Sequence, residues 1–359
     1  MPQPILYIAI TNHGFGHATR MSAIAAEIQR QLPEVLLILV TTAPRWLLAE
    51  YIPGDFIHRP RAFDVGVVQS DGITMDKAAT LEKLQHIRSQ QAATIAAEVN
   101  FIRQNRVSLV LADIPPLAVP IAKAAGVPCW MASNFGWDFI YRDWGGEFVE
   151  IADWIAECFG QCDRLFRLPL HEPMSAFPVI TDVGFPGGSP RYEPEDLRQQ
   201  LGITAPAEQT VLITFGGLGL QNIPYQTLSQ FPDWQFLTFD TPTVALPNLL
   251  QVPSRGYRPV DIMPLCGRVI SKPGFSTFSE ACRLGTPMVS IRREGFAEAA
   301  ILLDGIQDYV SHQILDPAEF FEGNWQFLHR PLMPPRTHQP VTDGNQEIAA
   351  AVINFLQKT

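Results

Sequence analysis

The chain has 359 residues, 47% hydrophobic and 17% charged, which is more than one core usually organises and far from a disordered composition, so two folded domains are expected. A net charge of −10 without clustered Lys and Arg sets nucleic acid aside as a partner, because neutralising phosphates needs basic patches. The five cysteines, Cys129, Cys158, Cys162, Cys266 and Cys282, lie mostly in apolar stretches with no paired CxxC spacing, which reads as reduced, buried thiols rather than a zinc site.

Residues 5–11 are apolar but lack the basic flank, longer apolar core and small-residue cleavage site of a signal peptide, so they read as a first strand. No apolar run approaches the ~20 residues of a membrane span. A cytoplasmic protein is expected, with at most peripheral contact with a membrane. A helix over 23–32, a strand over 36–42, a long helix near 77–106, a strand over 108–113, a helix over 117–125 and a strand over 128–133 follow in turn. These strand runs are nearly continuous Val, Ile and Leu rather than alternating, the pattern of parallel strands covered on both faces by helices.

After a helical stretch at 146–161 and an apolar run at 165–168, residues 169–209 turn rich in Pro, Gly and charge. The strand pattern restarts at 210–215, and continues at 234–239, 249–252, 268–271 and 287–291. A last helix over 346–356 follows the Pro-rich 331–340 stretch and can cross back onto the first domain. The expected fold class is α/β: two Rossmann-like, doubly wound domains facing across a cleft. Their expected bounds are 1–168, a linker region at 169–209, 210–340, and a C-terminal segment at 341–359.

Ligands of open α/β sheets bind beyond the carboxyl ends of the strands, and three glycine-bearing loops fall there: Asn12-His13-Gly14-Phe15-Gly16-His17, Phe215-Gly216-Gly217-Leu218-Gly219 and Lys272-Pro273-Gly274. The third joins a short strand to an amphipathic helix. Backbone N–H groups opening a helix have no intrahelical partner, so with Gly274 allowing close approach they suit phosphate oxygens. Ser276 and Thr277 add donors, and Glu280, one turn in, suits ribose hydroxyls; alternatively Ser276 or Thr277 is simply an N-cap. The first loop does not fit a Rossmann dinucleotide site: Gly14 and Gly16 are followed by His17-Ala18-Thr19 rather than a third glycine, and no acidic residue closes the second strand.

Together, Gly14-Phe15-Gly16-His17-Ala18-Thr19-Arg20 and the segment from Lys272 to Ala281 resemble the GT-B glycosyltransferases over nearly the whole chain. Within that group they resemble especially the family 28-like branch of the lipid-linked N-acetylglucosaminyltransferase of peptidoglycan synthesis. The first loop, with Ser133-Asn134-Phe135-Gly136-Trp137-Asp138-Phe139-Ile140-Tyr141, also resembles the glycosyltransferase-like N-terminal part of plant arabinokinases, without their sugar-kinase part.

That resemblance implies inverting transfer from a nucleotide sugar, a UDP-sugar co-substrate, to a small-molecule or lipid-linked acceptor. It favours His17 over His13 as the base, at the floor of the first loop, with Asp113 and Asp138 as competitors; Asp113 reads equally as a helix cap. Arg20 would add positive charge near the diphosphate, Gly216 and Gly217 would line it, Lys272 belongs to the same motif, and backbone groups at Gly256 and Tyr257 would read the base. Glu298 is a candidate for sugar hydroxyls, in a stretch where Arg292 and Arg293 replace the family's usual Gln or Asn. The chain has no Asp-x-Asp carboxylate pair, so no metal and no cofactor are expected. A UDP-sugar 2-epimerase and a non-catalytic nucleotide-sugar sensor remain alternatives on the same architecture.

Overall fold

The computed structural model describes residues 3–70, 72–337 and 340–358. The chain divides into two compact units. One comprises Met1–Ser70, Met75–Gly187 and Thr342–Thr359, the other Asp71–Thr74 and Gly188–Val341.

In the first unit the order is β1 (Ile5–Ile10), α1 (Gly16–Gln31), β2 (Leu36–Val40), α2 (Arg45–Ala49), β3 (Ile57–Arg59), α3 (Lys77–Gln104), β4 (Leu109–Asp113), α4 (Ala118–Ala125), β5 (Cys129–Ser133), α5 (Trp137–Trp144), α6 (Phe148–Phe159), β6 (Arg164–Arg167) and β7 (Ile180–Asp182). The seven strands form one parallel sheet ordered β3-β2-β1-β4-β5-β6-β7. The central strands are buried almost throughout, which is why they carry Val, Ile and Leu on both faces. Because β1, β4 and β5 run parallel and in register, Ile8 beside Leu111 and Leu111 beside Trp130, the loops that leave their carboxyl ends lie side by side.

The second unit contains α7 (Pro194–Leu201), β8 (Thr210–Ile213), β9 (Gln235–Thr238), β10 (Leu249–Gln251), α8 (Pro259–Ile262), β11 (Arg268–Ser271), α9 (Phe275–Leu284), β12 (Met288–Ile291), α10 (Ala297–Gly305), β13 (His312–Leu315) and α11 (Pro317–Phe321). Its six strands form a parallel sheet ordered β10-β9-β8-β11-β12-β13. Phe215, Phe236, Phe320 and Trp325 fill the core on one side of it. The last helix, α12 (Gly344–Leu356), belongs to the first unit and packs along α1. Asp343 caps it by accepting from Asn345 N at 3.0 Å and Gln346 N at 3.3 Å, and Asn345 fixes the chain at Gly187 by donating to its carbonyl at 2.7 Å.

Several elements differ from the sequence reading. The 169–209 stretch contributes β7 to the first unit and α7 to the second, and the division falls between Gly187 and Gly188. Helix α1 begins at Gly16, well before residue 23, so His17 stands in a helical turn and not at a loop floor. Its buried face runs His17, Arg20, Met21, Ile24, Ile28, a true helical period whose first two members are polar and therefore invisible to a hydrophobicity count. The five thiols are free and buried.

Candidate functional site

In unit 1, one buried polar cluster forms at the carboxyl edge of the sheet. His17 and Arg20 come from the first turns of α1, Asp113 from the end of β4, and Ser133 and Asn134 from the end of β5. All five are buried, with Asp113, Ser133 and Asn134 fully so. Arg20 grips Asp113 in a two-pronged pair, Nε to Oδ2 at 2.5 Å and Nη2 to Oδ1 at 2.6 Å. It further donates from Nη1 to Asn134 Oδ1 at 3.1 Å and from Nη2 to Ser133 Oγ at 3.1 Å.

His17 Nδ1 lies 3.0 Å from Asp113 Oδ1 and 2.8 Å from Arg20 Nη2. Both hydrogens of that Nη2 are directed to Asp113 and Ser133, so the consistent assignment has His17 Nδ1–H donating to Asp113 and the lone pair on Nε2. Burial pulls the imidazole below its usual range; Asp113 pushes back and Arg20 reinforces the fall. Asp113 feels the opposite balance. Burial raises its carboxyl, but Arg20 and then His17 outweigh it and hold the group at about 2. The result is a neutral imidazole with its tautomer fixed by a carboxylate that is ionised at neutral pH. Phe135 and Trp137 flank it at ring distances of 5.8 and 6.3 Å.

Two residues expected to act otherwise are accounted for here. Arg20, assigned from sequence to the diphosphate, is directed into Asp113, Ser133 and Asn134 instead, because a buried guanidinium takes the nearest carboxylate. Asp138 sits in the first turn of α5, where burial raises its carboxyl and the backbone N–H groups of Phe139 and its own residue lower it. That is the position of a helix-start acid. Gly14 takes a left-handed φ of 59° at the exposed tip of the first loop, while Gly16 opens α1. Phe135, Trp137 and Tyr141 are buried core residues.

In unit 2 the glycine loops sit at the carboxyl ends of β8 and β11. Gly216 and Gly217 are exposed, and Gly216 adopts a φ of 79° that disfavours any side chain. Gly274 is the N-cap of α9 and supplies no side-chain cap; Ser276 and Thr277 lie two and three residues past it, in the first turn. Lys272 Nζ donates to Gly72 O at 2.8 Å, and Gly72 N donates to Gly219 O at 2.9 Å, so residues 72 and 219 are stitched beside this loop. Glu280 is buried and accepts from Gly188 N at 3.0 Å; burial pushes its carboxyl up to about 7 against that hydrogen bond and the nearby Arg258.

The Gly256 carbonyl accepts from Tyr192 Oη at 2.8 Å and from Arg191 Nη2 at 3.0 Å, and Tyr192 and Tyr257 lie with ring centroids 5.6 Å apart. Glu298 is buried in the first turn of α10. Arg292 pairs with Asp316 at 3.1 Å on the surface, and the Arg293 guanidinium covers the Phe296 ring at 4.6 Å. Among the described residues no helix is long and apolar enough to cross a membrane. A further buried carboxylate, Asp64, was not singled out from the sequence, where it lies in an aperiodic stretch with no motif around it.

No protein-family model matches the chain. The L-arabinokinase of Arabidopsis thaliana is 28% identical over 364 residues, covering 96% of this chain and 33% of the kinase, so the chain spans about a third of that relative. Among solved structures, a UDP-glucosyltransferase from Polygonum tinctorium that glucosylates indoxyl superposes with a TM-score of 0.63 at 14% identity, covering 100% of both chains. UGT89C1 of Arabidopsis thaliana in complex with UDP superposes with a TM-score of 0.56 at 13% identity, covering 99% of this chain and 94% of its own. With a parallel sheet in each of its two units and these neighbours, the chain has the GT-B glycosyltransferase fold.

Proposed function

We propose that the protein transfers a sugar from a nucleotide sugar of the UDP class to an acceptor hydroxyl, with inversion at the anomeric carbon. The observation that carries this reading is the His17–Asp113 pair: a neutral imidazole, one nitrogen fixed on a carboxylate at 3.0 Å, the other bearing a lone pair. As the acceptor oxygen attacks the anomeric carbon, His17 Nε2 takes its proton, and the bond to the diphosphate breaks with its electron pair leaving on the nucleotide. Asp113 then faces an imidazolium it stabilises by charge, an effect that the adjacent Arg20 moderates.

Unit 2 supplies the other half of the chemistry. The N-terminus of α9, with Gly274 at the cap and Ser276 and Thr277 in its first turn, is assigned to the departing diphosphate, where backbone donors and the helix dipole favour developing negative charge. Glu280 is assigned to the ribose, with Gly216 and Gly217 lining the phosphates, Lys272 beside them and Glu298 toward the sugar. In this reading Asp138 serves no proton transfer. The named relatives support a uridine donor, since one is a UDP-glucosyltransferase and another binds UDP. No metal or cofactor is required by the donors assigned here, and a cytoplasmic setting fits the reading.

Calorimetric titration with UDP tests the donor half. Ser276→Ala and Glu280→Ala each weaken binding about tenfold or more with the fold intact, because a hydrogen bond to a charged group is worth ~1.5–3 kcal/mol. Unchanged affinity in both variants would remove the α9 assignment. Turnover is expected to survive chelation; activity that vanishes in EDTA and returns with magnesium or manganese would show that the helix terminus does not stabilise the leaving group alone.

A further inference from the structure

Asp64 is buried in unit 1, and the transfer chemistry above does not use it. Its Oδ1 accepts from Asn12 N at 3.0 Å and its Oδ2 accepts from Thr11 Oγ1. The same Thr11 hydroxyl accepts from Trp137 Nε1 at 3.0 Å. Trp137 in turn stands edge-on to His13 at 5.2 Å and to Phe135 at 5.0 Å, and lies 6.3 Å from His17.

Around Asp64 the 63–68 stretch is sewn onto the same loop. Tyr141 Oη donates to Gly66 O at 2.6 Å, and Val67 N donates to His13 Nδ1 at 3.2 Å. Gly66 has a φ of 60°, and a Cβ there would come within 2.5 Å of the His13 Cβ, so the two segments pack backbone against side chain with no room to spare. Asp64 is thus the acid at the centre of a seam that runs from the 63–68 stretch through Thr11 and Asn12 to Trp137.

The rest of its surroundings is apolar. Phe63, Leu84 and Ile87 from the α3 side, Pro116, and Trp154 and Ile155 from α6 enclose a small cavity with Asp64, Trp137 and Tyr141. The titratable groups that act on Asp64 include Asp113, whose negative charge opposes its ionisation, and the Tyr141 hydroxyl, whose own ionisation Asp64 opposes; the Arg20 guanidinium is bound to Asp113. Burial, chiefly, pushes the Asp64 carboxyl up to about 7, against the Asn12 N–H and Trp137 that lower it.

We propose that Asp64 is a positioning residue, whose carboxyl holds the first loop through Thr11, Asn12 and Trp137 and so sets where His17 meets the acceptor, with its charge state as the control. A neutral Asp64 satisfies Asn12 N–H with one oxygen and, with the Thr11 hydroxyl turned to accept, donates to Thr11 with the other. An ionised Asp64 places a charge in an apolar cavity beside a second carboxylate, so the loop loosens as Asp64 loses its proton. The position of His17 matters to catalysis only under the glycosyltransferase reading; the loop's response to Asp64 does not depend on it.

The test is a titration of the indole ¹⁵N–¹H signal of Trp137, assigned with Trp137→Phe, from about pH 5 to about pH 9. In the wild type the signal moves through a midpoint near neutrality, and in Asp64→Asn, which keeps an acceptor for Asn12 and a donor for Thr11, it stays flat. A flat wild-type signal, or one that titrates identically in Asp64→Asn, overturns the proposal. In the kinetic arm Asp64→Ala lowers kcat about tenfold or more at an unchanged donor KM, and Asp64→Asn restores it while losing the fall in rate above neutral pH; equal losses in both variants also overturn it. If the wild type turns over no nucleotide sugar, the glycosyltransferase reading fails, and the indole titration still decides the role of Asp64.

Discussion

His17→Ala is expected to lower turnover by ~10²–10⁴, the usual cost of removing a general base, while donor affinity stays within about twofold of wild type. The two properties separate because His17, the proposed base, belongs to unit 1 and the nucleotide donors are assigned to unit 2. Single-turnover rates with calorimetric donor titration read both, and circular dichroism checks the fold. A merely structural histidine would show the reverse pattern, lowered stability with a nearly normal rate. His17→Ala close to wild type, with turnover collapsing in Asp113→Asn or Asp138→Asn, would move the base role away from His17 and leave the sugar-transfer reading in place.

Asp113→Ala is expected to destabilise the protein by ~3–5 kcal/mol, because it strands the buried Arg20 guanidinium without its carboxylate. Neutral acceptors such as Ser133 and Asn134 would remain, without a carboxylate to balance the full charge. Asp113 also leaves a pH signature. Its folded carboxyl sits at about 2 against an ordinary aspartate value of about 3.9, so its contribution is present in full above about pH 4 and lost as the pH falls from there toward 2. Urea melts at stepped pH read this directly: the wild-type acid limb steepens below about pH 4, and Asp113→Asn shows a shallower one. Identical acid limbs would mean that the Arg20–Asp113 pair does not hold in solution.

How much of this could be read from the chain varies by element. The β11–Gly274–α9 unit was legible because a short apolar strand, a glycine and a helical period follow one another directly, and the observed strand matches residue for residue. The start of α1 was not, since His17 and Arg20 occupy buried helical positions that apolar residues usually fill. β3, β7 and β13 were missed for another reason: all three are edge strands, three or four residues long, with polar residues such as His58, Asp182 and Gln313 in them. At the site, His17, Arg20 and Asp113 were each visible as residues of interest. What the sequence does not show is that Arg20 and Asp113, 93 residues apart, meet because β1 and β4 are neighbours in the sheet. That pairing redirects Arg20 from a phosphate ligand to the partner of Asp113. Asp64 offered no signal, because its importance lies wholly in tertiary contacts to Thr11 and Asn12.

Proton NMR of a UDP-sugar panel incubated with the protein, with water as the surrogate acceptor, tests the central claim most directly. Sugar transfer predicts release of UDP together with free sugar that first appears in the anomeric configuration opposite to the donor's, at a rate that His17→Ala abolishes. Conversion of UDP-N-acetylglucosamine to its 2-epimer without loss of the nucleotide, or tight binding that leaves every donor intact, would contradict it.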